Sequence, residues 1–294
     1  MGNLKYGLSL VRDFVKFVVT NKPQFANYDV TWKCNLNCEH CYWKKYSYGK
    51  KEPSDEDWER AFMEHKKNGM KYAMLTGGEP SLRQNVIEMA DKIFDGVFIV
   101  SNGTSKIPEN INRRIFVSLD GNRETHNKIR GADIFDKVMQ NIKNDKRVVI
   151  ASTLSKTNYK QIEEIVKIAK DANVFGIIFS MYTADNPDDR LLLNGDDLEY
   201  VISTIKKSKK ENPGFVLLSK MMIDTFKTKN HVKNCFLRSK FTVSYYPDLS
   251  VKTPCVLGEK VDCSTCGCIV PIWMHCIRKL DVESAKIVGR MFAV

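Results

Sequence analysis

Between about residue 26 and residue 183, short apolar runs ending in small polar turns alternate with segments of helical period, a pattern few folds accept. NYDVTW opens the series, and YAMLTGGEP, VFIVSNGT, RIFVSLDG, RVVIASTL and FGIIFSMYT continue it, so six strands are expected. Helical segments separate most of them: SDEDWERAFMEHKKNG, NVIEMADKIF, DIFDKVMQNIKN and YKQIEEIVKIAKDAN. In the first, Ser54 is placed to cap the helix and acidic residues fill the first turn. Strands alternating with helices build a parallel sheet with covering helices. Right-handed crossovers curl such a sheet into an open doubly wound form or a partial (β/α) barrel. The polar strand endings TGGEP, SNGT, SLDG, ST and SMY then share one rim, where parallel α/β folds gather their functional residues.

The chain has 294 residues with 43% hydrophobic side chains, enough for a sizeable core. No stretch reaches the roughly 18–20 apolar residues of a membrane span, and a cytoplasmic location is expected. Residues 1–22 read as a basic amphipathic helix, with Leu4, Leu8, Val11, Val15 and Val18 at helical spacing around Lys5, Arg12 and Lys16. Such a helix packs on its own domain or makes peripheral contact with a membrane. The formal net charge is +11, and Ser203 to Lys233 carries eight lysines against Glu211 and Asp224. That excess is a solvated helix face or a surface for an anionic partner.

Nine cysteines in a reducing compartment argue for metal rather than disulfides. Cys34, Cys38 and Cys41 follow the first strand; Cys235, Cys255, Cys263, Cys266, Cys268 and Cys276 lie in the last quarter. Three thiolates at x3 and x2 spacing can wrap one face of an iron–sulfur cubane, leaving the fourth iron open to a molecule with an amine and a carboxylate. A zinc site completed by a distant ligand such as His40 is the alternative. In the tail, KFTVSYYPDLSVKTPC alternates around Pro247 and Asp248 as a hairpin bracketed by Cys235 and Cys255. Val256 to Cys276 reads as a loop whose close thiolates suit a cluster or zinc.

Cys34-x3-Cys38-x2-Cys41 followed by Tyr42, together with Gly77-Gly78-Glu79-Pro80 after the second strand, resembles the radical S-adenosylmethionine (SAM) superfamily. The resemblance implies an α/β fold, a partial (β/α)6 TIM-like barrel. It also implies that Cys34, Cys38 and Cys41 bind a [4Fe–4S] cluster whose open iron takes the amino and carboxylate groups of SAM. Reductive cleavage would then give a 5′-deoxyadenosyl radical that abstracts hydrogen from an unactivated carbon. Gly77, Gly78 and Glu79 would hold the SAM amino group, and Tyr42 would lie near the adenine. Asn102, Ser118 and Asp120 would approach the methionyl part and ribose, Ser152 would add a polar contact, and Arg130 would pair with the carboxylate. A flavodoxin- or ferredoxin-type electron donor is implied as a partner.

The tail resembles the SPASM and twitch extensions of the same superfamily, with Ser250 standing where their hairpin element has glycine. The resemblance implies one auxiliary [4Fe–4S] cluster on Cys235, Cys255, Cys263 and Cys266, with zinc as the alternative. Cys268 and Cys276 would substitute for one of these, stay spare, or donate hydrogen. The organisation expected is a helix over 1–22, a barrel with a helical extension over 23–230, and a small cysteine-rich C-terminal domain over 231–294. A peptide or protein is the first substrate class, a membrane lipid or isoprenoid the second, and RNA the third. A non-catalytic iron–sulfur module and a zinc-dependent nucleic-acid binder are the readings from other classes.

Overall fold

A computed structural model describes residues 22–46 and 51–292. The amphipathic helix expected over 1–22 lies outside the described residues except for Lys22. Six parallel strands follow in sequence and spatial order: β1 (Phe25–Asp29), β2 (Tyr72–Thr76), β3 (Gly96–Ser101), β4 (Arg114–Ser118), β5 (Val148–Leu154) and β6 (Gly176–Met181). The covering helices are α1 (Asp55–Lys67), α2 (Gln84–Ile93), α3 (Arg123–Arg130), α4 (Phe135–Ile142) and α5 (Ile162–Asp171). Ser54 caps α1 as expected: its hydroxyl accepts from the Asp57 N–H at 3.2 Å, and the Asp57 carboxylate accepts from the Ser54 N–H at 3.1 Å.

The period of two along each strand sorts the core into two layers. On the outer face Tyr28 meets Trp58 and Phe62 of α1, the latter ring at 4.9 Å. On the inner face Phe25, Tyr72, Phe98 and Phe116 line up across the strand beginnings. The same inner face turns polar toward the strand ends, where Thr76, Ser118, Thr153 and Ser180 line a cavity. The barrel is therefore closed at one end by aromatic packing and open at the other.

The tail completes that closure. Helices α6 (Gly195–Glu211) and α7 (Lys220–Thr228) precede the hairpin β7 (Thr242–Tyr245) and β8 (Val251–Lys252), and α8 (Ile269–Arg278) and α9 (Val282–Phe292) follow. β7 and β8 pair antiparallel, as the alternation predicts. β7 also pairs parallel with the free edge of β1, extending the sheet to eight strands. At the other edge, the Met181 N–H at the end of β6 donates to Gly267 O at 2.9 Å. A Cβ on Gly267 would lie 2.4 Å from Cβ of Met181, so only glycine permits this approach. Phe292 of α9 reaches Phe98 at 4.5 Å, and Trp273 of α8 reaches Phe116 at 6.2 Å, which plugs the aromatic end. Residues 231–292 thus draw their core from the barrel.

The segment expected as loop through Cys276 is helical from Ile269. Pro271 sits in the first turn, where a missing N–H costs nothing, and Ile269, Ile272, Trp273 and Cys276 supply a buried stripe. The lysine excess is a paired helix face in part. Lys206, Lys207, Lys209 and Lys227 each meet a carboxylate, from Asp224, Glu163, Glu283 and Glu199 respectively. No helix among the described residues is long and apolar enough to cross a membrane.

Candidate functional site

The open end of the barrel holds a cavity of about 310 Å³. Cys34, Cys38 and Cys41 line it with Tyr42, Gly77, Gly78, Glu79, Asn102, Ser118 and Arg130. The loop carrying the cysteines is stitched to the ends of β2 and β3. The Glu79 N–H donates to Lys33 O at 2.9 Å, and the Asn102 amide donates to Asn35 Oδ1 at 2.8 Å. Gly77 and Gly78 have φ of +72° and +52°, in the left-handed region. A Cβ on Gly77 would stand 2.2 Å from Cβ of Asp29, and one on Gly78 would stand 2.1 Å from Lys33 O. The double glycine is thus required because the turn presses against the chain that enters the cysteine loop.

Glu79 is buried and fixed. Its carboxylate accepts from the Ser81 N–H at 2.9 Å, the Ser101 hydroxyl at 2.8 Å and the Asn102 N–H at 2.7 Å. Burial raises its pKa, and these donors work against that rise. Arg130 bonds to the Asp120 carboxylate and points Nη1 at Cys38 Sγ, 3.7 Å away. Burial would raise the Asp120 pKa, but Arg130, His40 and His126 together hold it below the usual carboxylate value. His40, on the cavity wall, is pushed down to about 4 by burial, with Asp120 opposing the shift. Burial pushes Cys34 up to about 11 and raises Cys38, so filling the site with a metal group displaces protons from these thiols.

Two expected contacts are corrected. Ser152 lies on the outer face of β5, because Ser118 pairs in register with Ala151, and Thr153 is the β5 residue that faces the cavity. Ser152 is 1% exposed, and its hydroxyl has no partner among the described residues. Asp120 does not line the cavity: it accepts from the Thr153 N–H at 2.9 Å and anchors Arg130. Tyr42 lines the cavity, yet its ring also faces Lys252 Nζ, 5.1 Å from the centroid. Sequence reasoning missed Thr153, Tyr182, Val256, Leu257 and Val270 on the cavity wall. Strand parity could have found Thr153; the tail residues reach the cavity only through the fold.

The tail cysteines form a second, tighter place. Cys235, Cys255, Cys263, Cys266 and Cys268 line a space of about 20 Å³ with Leu237, Val261 and Pro271. Cys276 stands apart on α8, its Sγ 3.8 Å from the Thr225 hydroxyl. Lys229 donates to Cys266 O at 2.7 Å and fixes the cysteine turn to the end of α7. Where the related hairpin element has glycine, Leu249 takes the left-handed conformation at φ +63°, one residue before Ser250. Among the described residues, no three His, Cys, Asp or Glu side chains are close enough together to hold a single metal ion. Soft thiol donors suit either an iron–sulfur cluster or zinc.

A model of the Radical SAM superfamily matches residues 28–154. An AdoMet-dependent heme synthase of Methanosarcina barkeri is 28% identical over 212 residues, covering 66% of this chain and 61% of that protein. The sporulation killing factor maturation protein SkfB of Bacillus subtilis is 27% identical over 168 residues, covering 52% of this chain and 41% of that one. The fold resembles that of Streptococcus suis SuiB bound to S-adenosylmethionine, with a TM-score of 0.63 at 16% identity, over 85% of this chain and 64% of that one. The chain therefore spans less than two thirds of the length of these proteins. Three thiols on one loop, the glycine turn against them and the match over residues 28–154 agree: this part of the chain carries a radical SAM domain.

Proposed function

We infer that the chain is a radical SAM enzyme acting on a peptide or protein, with an auxiliary cluster held by its tail. The observation that carries the first part is the pairing of three cavity-lining thiols with the Gly77-Gly78-Glu79 turn on one rim. When bound, the cluster supplies the electron that cleaves SAM. The chain's own residues bind and orient. Cys34, Cys38 and Cys41 would hold the cluster from one face, and Arg130 would balance thiolate charge at Cys38. The carbonyls of Gly77 and Gly78 and the Glu79 carboxylate would receive the SAM amino group. Ser118 and Thr153 would meet its polar parts. Leu257, Val256 and Val270 from the tail would exclude water from the far side.

Four of the five converging tail thiols suffice for an auxiliary [4Fe–4S] cluster; Cys235, Cys255, Cys263 and Cys266 are the set we assign. Cys268 lines both spaces, so it stands between the auxiliary site and the main cavity. The peptide class rests on the likeness to SkfB, named for maturation of the sporulation killing factor. An external flavodoxin- or ferredoxin-type protein would deliver the electron.

The test is anaerobic reconstitution followed by SAM and dithionite. Release of 5′-deoxyadenosine is expected, and a filled cluster that releases none would sink the enzyme reading. Co-expression with short peptides encoded beside the gene tests the substrate: a mass change in one of them is the expected result. Unchanged peptides would sink the peptide class if a cell extract stripped of protein and peptide still stimulated turnover.

A further inference from the structure

The two cysteine sites meet at a buried charge pair that no part of the proposed chemistry uses. Lys252, on β8, has a side chain 0% exposed, and its Nζ donates to Asp29 Oδ2 at 2.5 Å. The other carboxylate oxygen of Asp29 accepts from the Thr76 hydroxyl at 2.9 Å. Four rings surround the ammonium: Trp43 at 5.0 Å, Tyr42 at 5.1 Å, Tyr246 at 5.2 Å and Tyr46 at 5.4 Å. Three of those rings, Tyr42, Trp43 and Tyr46, lie within five residues after Cys41. The fourth belongs to the hairpin that leads to Cys255. Asp29 ends β1 and is the residue against which Gly77 packs.

A buried ion pair is a poor stabiliser, because desolvating both charges offsets most of their attraction. Apolar residues of similar shape would hold a hairpin on a sheet edge as well or better. What the pair supplies is direction: one hydrogen bond, one carboxylate and a ring of aromatic faces allow a single seating of β8 on β1. That seating fixes Tyr42 and Trp43, hence Cys41, and the Gly77 turn on the other side of Asp29.

We propose that Lys252 is a positioning residue for the radical site, tying the tail that carries the auxiliary cysteines to the loop and turn that hold the cluster and SAM. The proposal rests on the radical SAM reading of that site. Its consequence is that Lys252, which does not line the cavity, acts on SAM binding without touching SAM.

Lys252→Met, Asp29→Asn, the double variant and Lys252→Arg test this in the reconstituted full chain. Either single change leaves a buried charge without its partner and is expected to lower Tm. The double variant removes both charges and is expected to recover Tm. It is still expected to bind SAM about 10-fold more weakly, and to show a smaller change in the reduced cluster's EPR spectrum when SAM is added. Lys252→Arg, which keeps charge and donor, is expected to recover part of the affinity. A double variant with wild-type SAM affinity and an unchanged EPR response would overturn the proposal, since the pair would then be structural alone. Wild-type protein that holds iron but neither binds nor cleaves SAM would instead overturn the parent reading.

Discussion

The molecule has two cysteine-lined places, and they differ in donors and in room. At the barrel mouth Cys34, Cys38 and Cys41, with Cys268 from the tail, border a cavity of about 310 Å³; in the tail five cysteines, Cys268 again among them, border about 20 Å³. Few donors around a large space leave a position for a guest, whereas many donors around a small one enclose what they bind. The first is built on a loop braced by strand ends, the arrangement that lets a parallel barrel present reactive groups. The second is built where the chain returns to close the sheet. On the proposed reading, reactivity would follow from incompleteness, and the closed site beside it would serve electrons or shape without opening.

The largest expected effect breaks this contrast from the open side. Replacing Cys34, Cys38 and Cys41 by alanine is expected to abolish 5′-deoxyadenosine release and remove about four irons per chain, leaving the tail's share in iron assays. Cys255→Ala is expected to remove a similar amount of iron while some SAM cleavage persists. Cys276→Ala is expected to leave iron unchanged, because its thiol lies between α7 and α8. If Cys276→Ala loses iron and Cys263→Ala does not, the assignment of the tail site is wrong.

Next in size is Gly78→Ala. The new Cβ would meet Lys33 O at 2.1 Å in a backbone with positive φ. The strain is about 1–3 kcal/mol, and the cysteine loop must move to relieve it. SAM affinity is expected to fall well beyond what the loss in Tm explains, with tail iron intact.

A pH effect is expected at both places. His126 lies beneath the mouth, where its Nδ1 accepts from the Asp120 N–H at 3.2 Å, and His231 lies near the tail site beside Lys229. Each is lowered from 6.5 to about 4, chiefly by burial, with Arg130 contributing and Asp120 opposing at His126, and Lys229 and His275 contributing at His231. The unfolded chain therefore binds more protons, so their contribution is full above pH 6.5 and is lost as pH falls toward 4. Urea midpoints of the metal-free protein are expected to drop over that window. His126→Gln and His231→Leu are each expected to flatten the drop, and an unchanged slope in both would count against buried neutral imidazoles.

The smallest contrast lies within one strand. Thr153→Val removes a cavity hydroxyl and is expected to weaken SAM binding about five-fold, the worth of one hydrogen bond. Ser152→Ala removes a buried hydroxyl without a partner and is expected to leave binding unchanged and Tm equal or slightly higher. The reverse ranking in equilibrium binding would mean that β5 is shifted by one residue.

Much of this was legible because it is local. Six strands, the Ser54 cap, the hairpin, the two groups of cysteines and the glycine turn each depend on residues a few positions apart, where spacing and backbone sterics act directly. Parity was less secure: Ser152 and Thr153 are both small and polar, and only the pairing of Ser118 with Ala151 decides which one faces inward. Arg130 and Asp120 read as two contacts for SAM; in the fold they pair with each other, and of the two only Arg130 lines the cavity.

The sequence by itself pointed to the class of chemistry proposed, since three closely spaced thiols and a Gly-Gly-Glu-Pro turn are local patterns that keep their meaning wherever the loop sits. Only the tertiary structure decided that β7 docks on β1, that five tail cysteines converge while Cys276 stays in a helix interface, and that Lys252 is buried among four rings. Those outcomes join residues up to 223 positions apart, Asp29 and Lys252 among them. Contacts at that range are chosen by which surfaces can be buried together, and no local pattern encodes the choice.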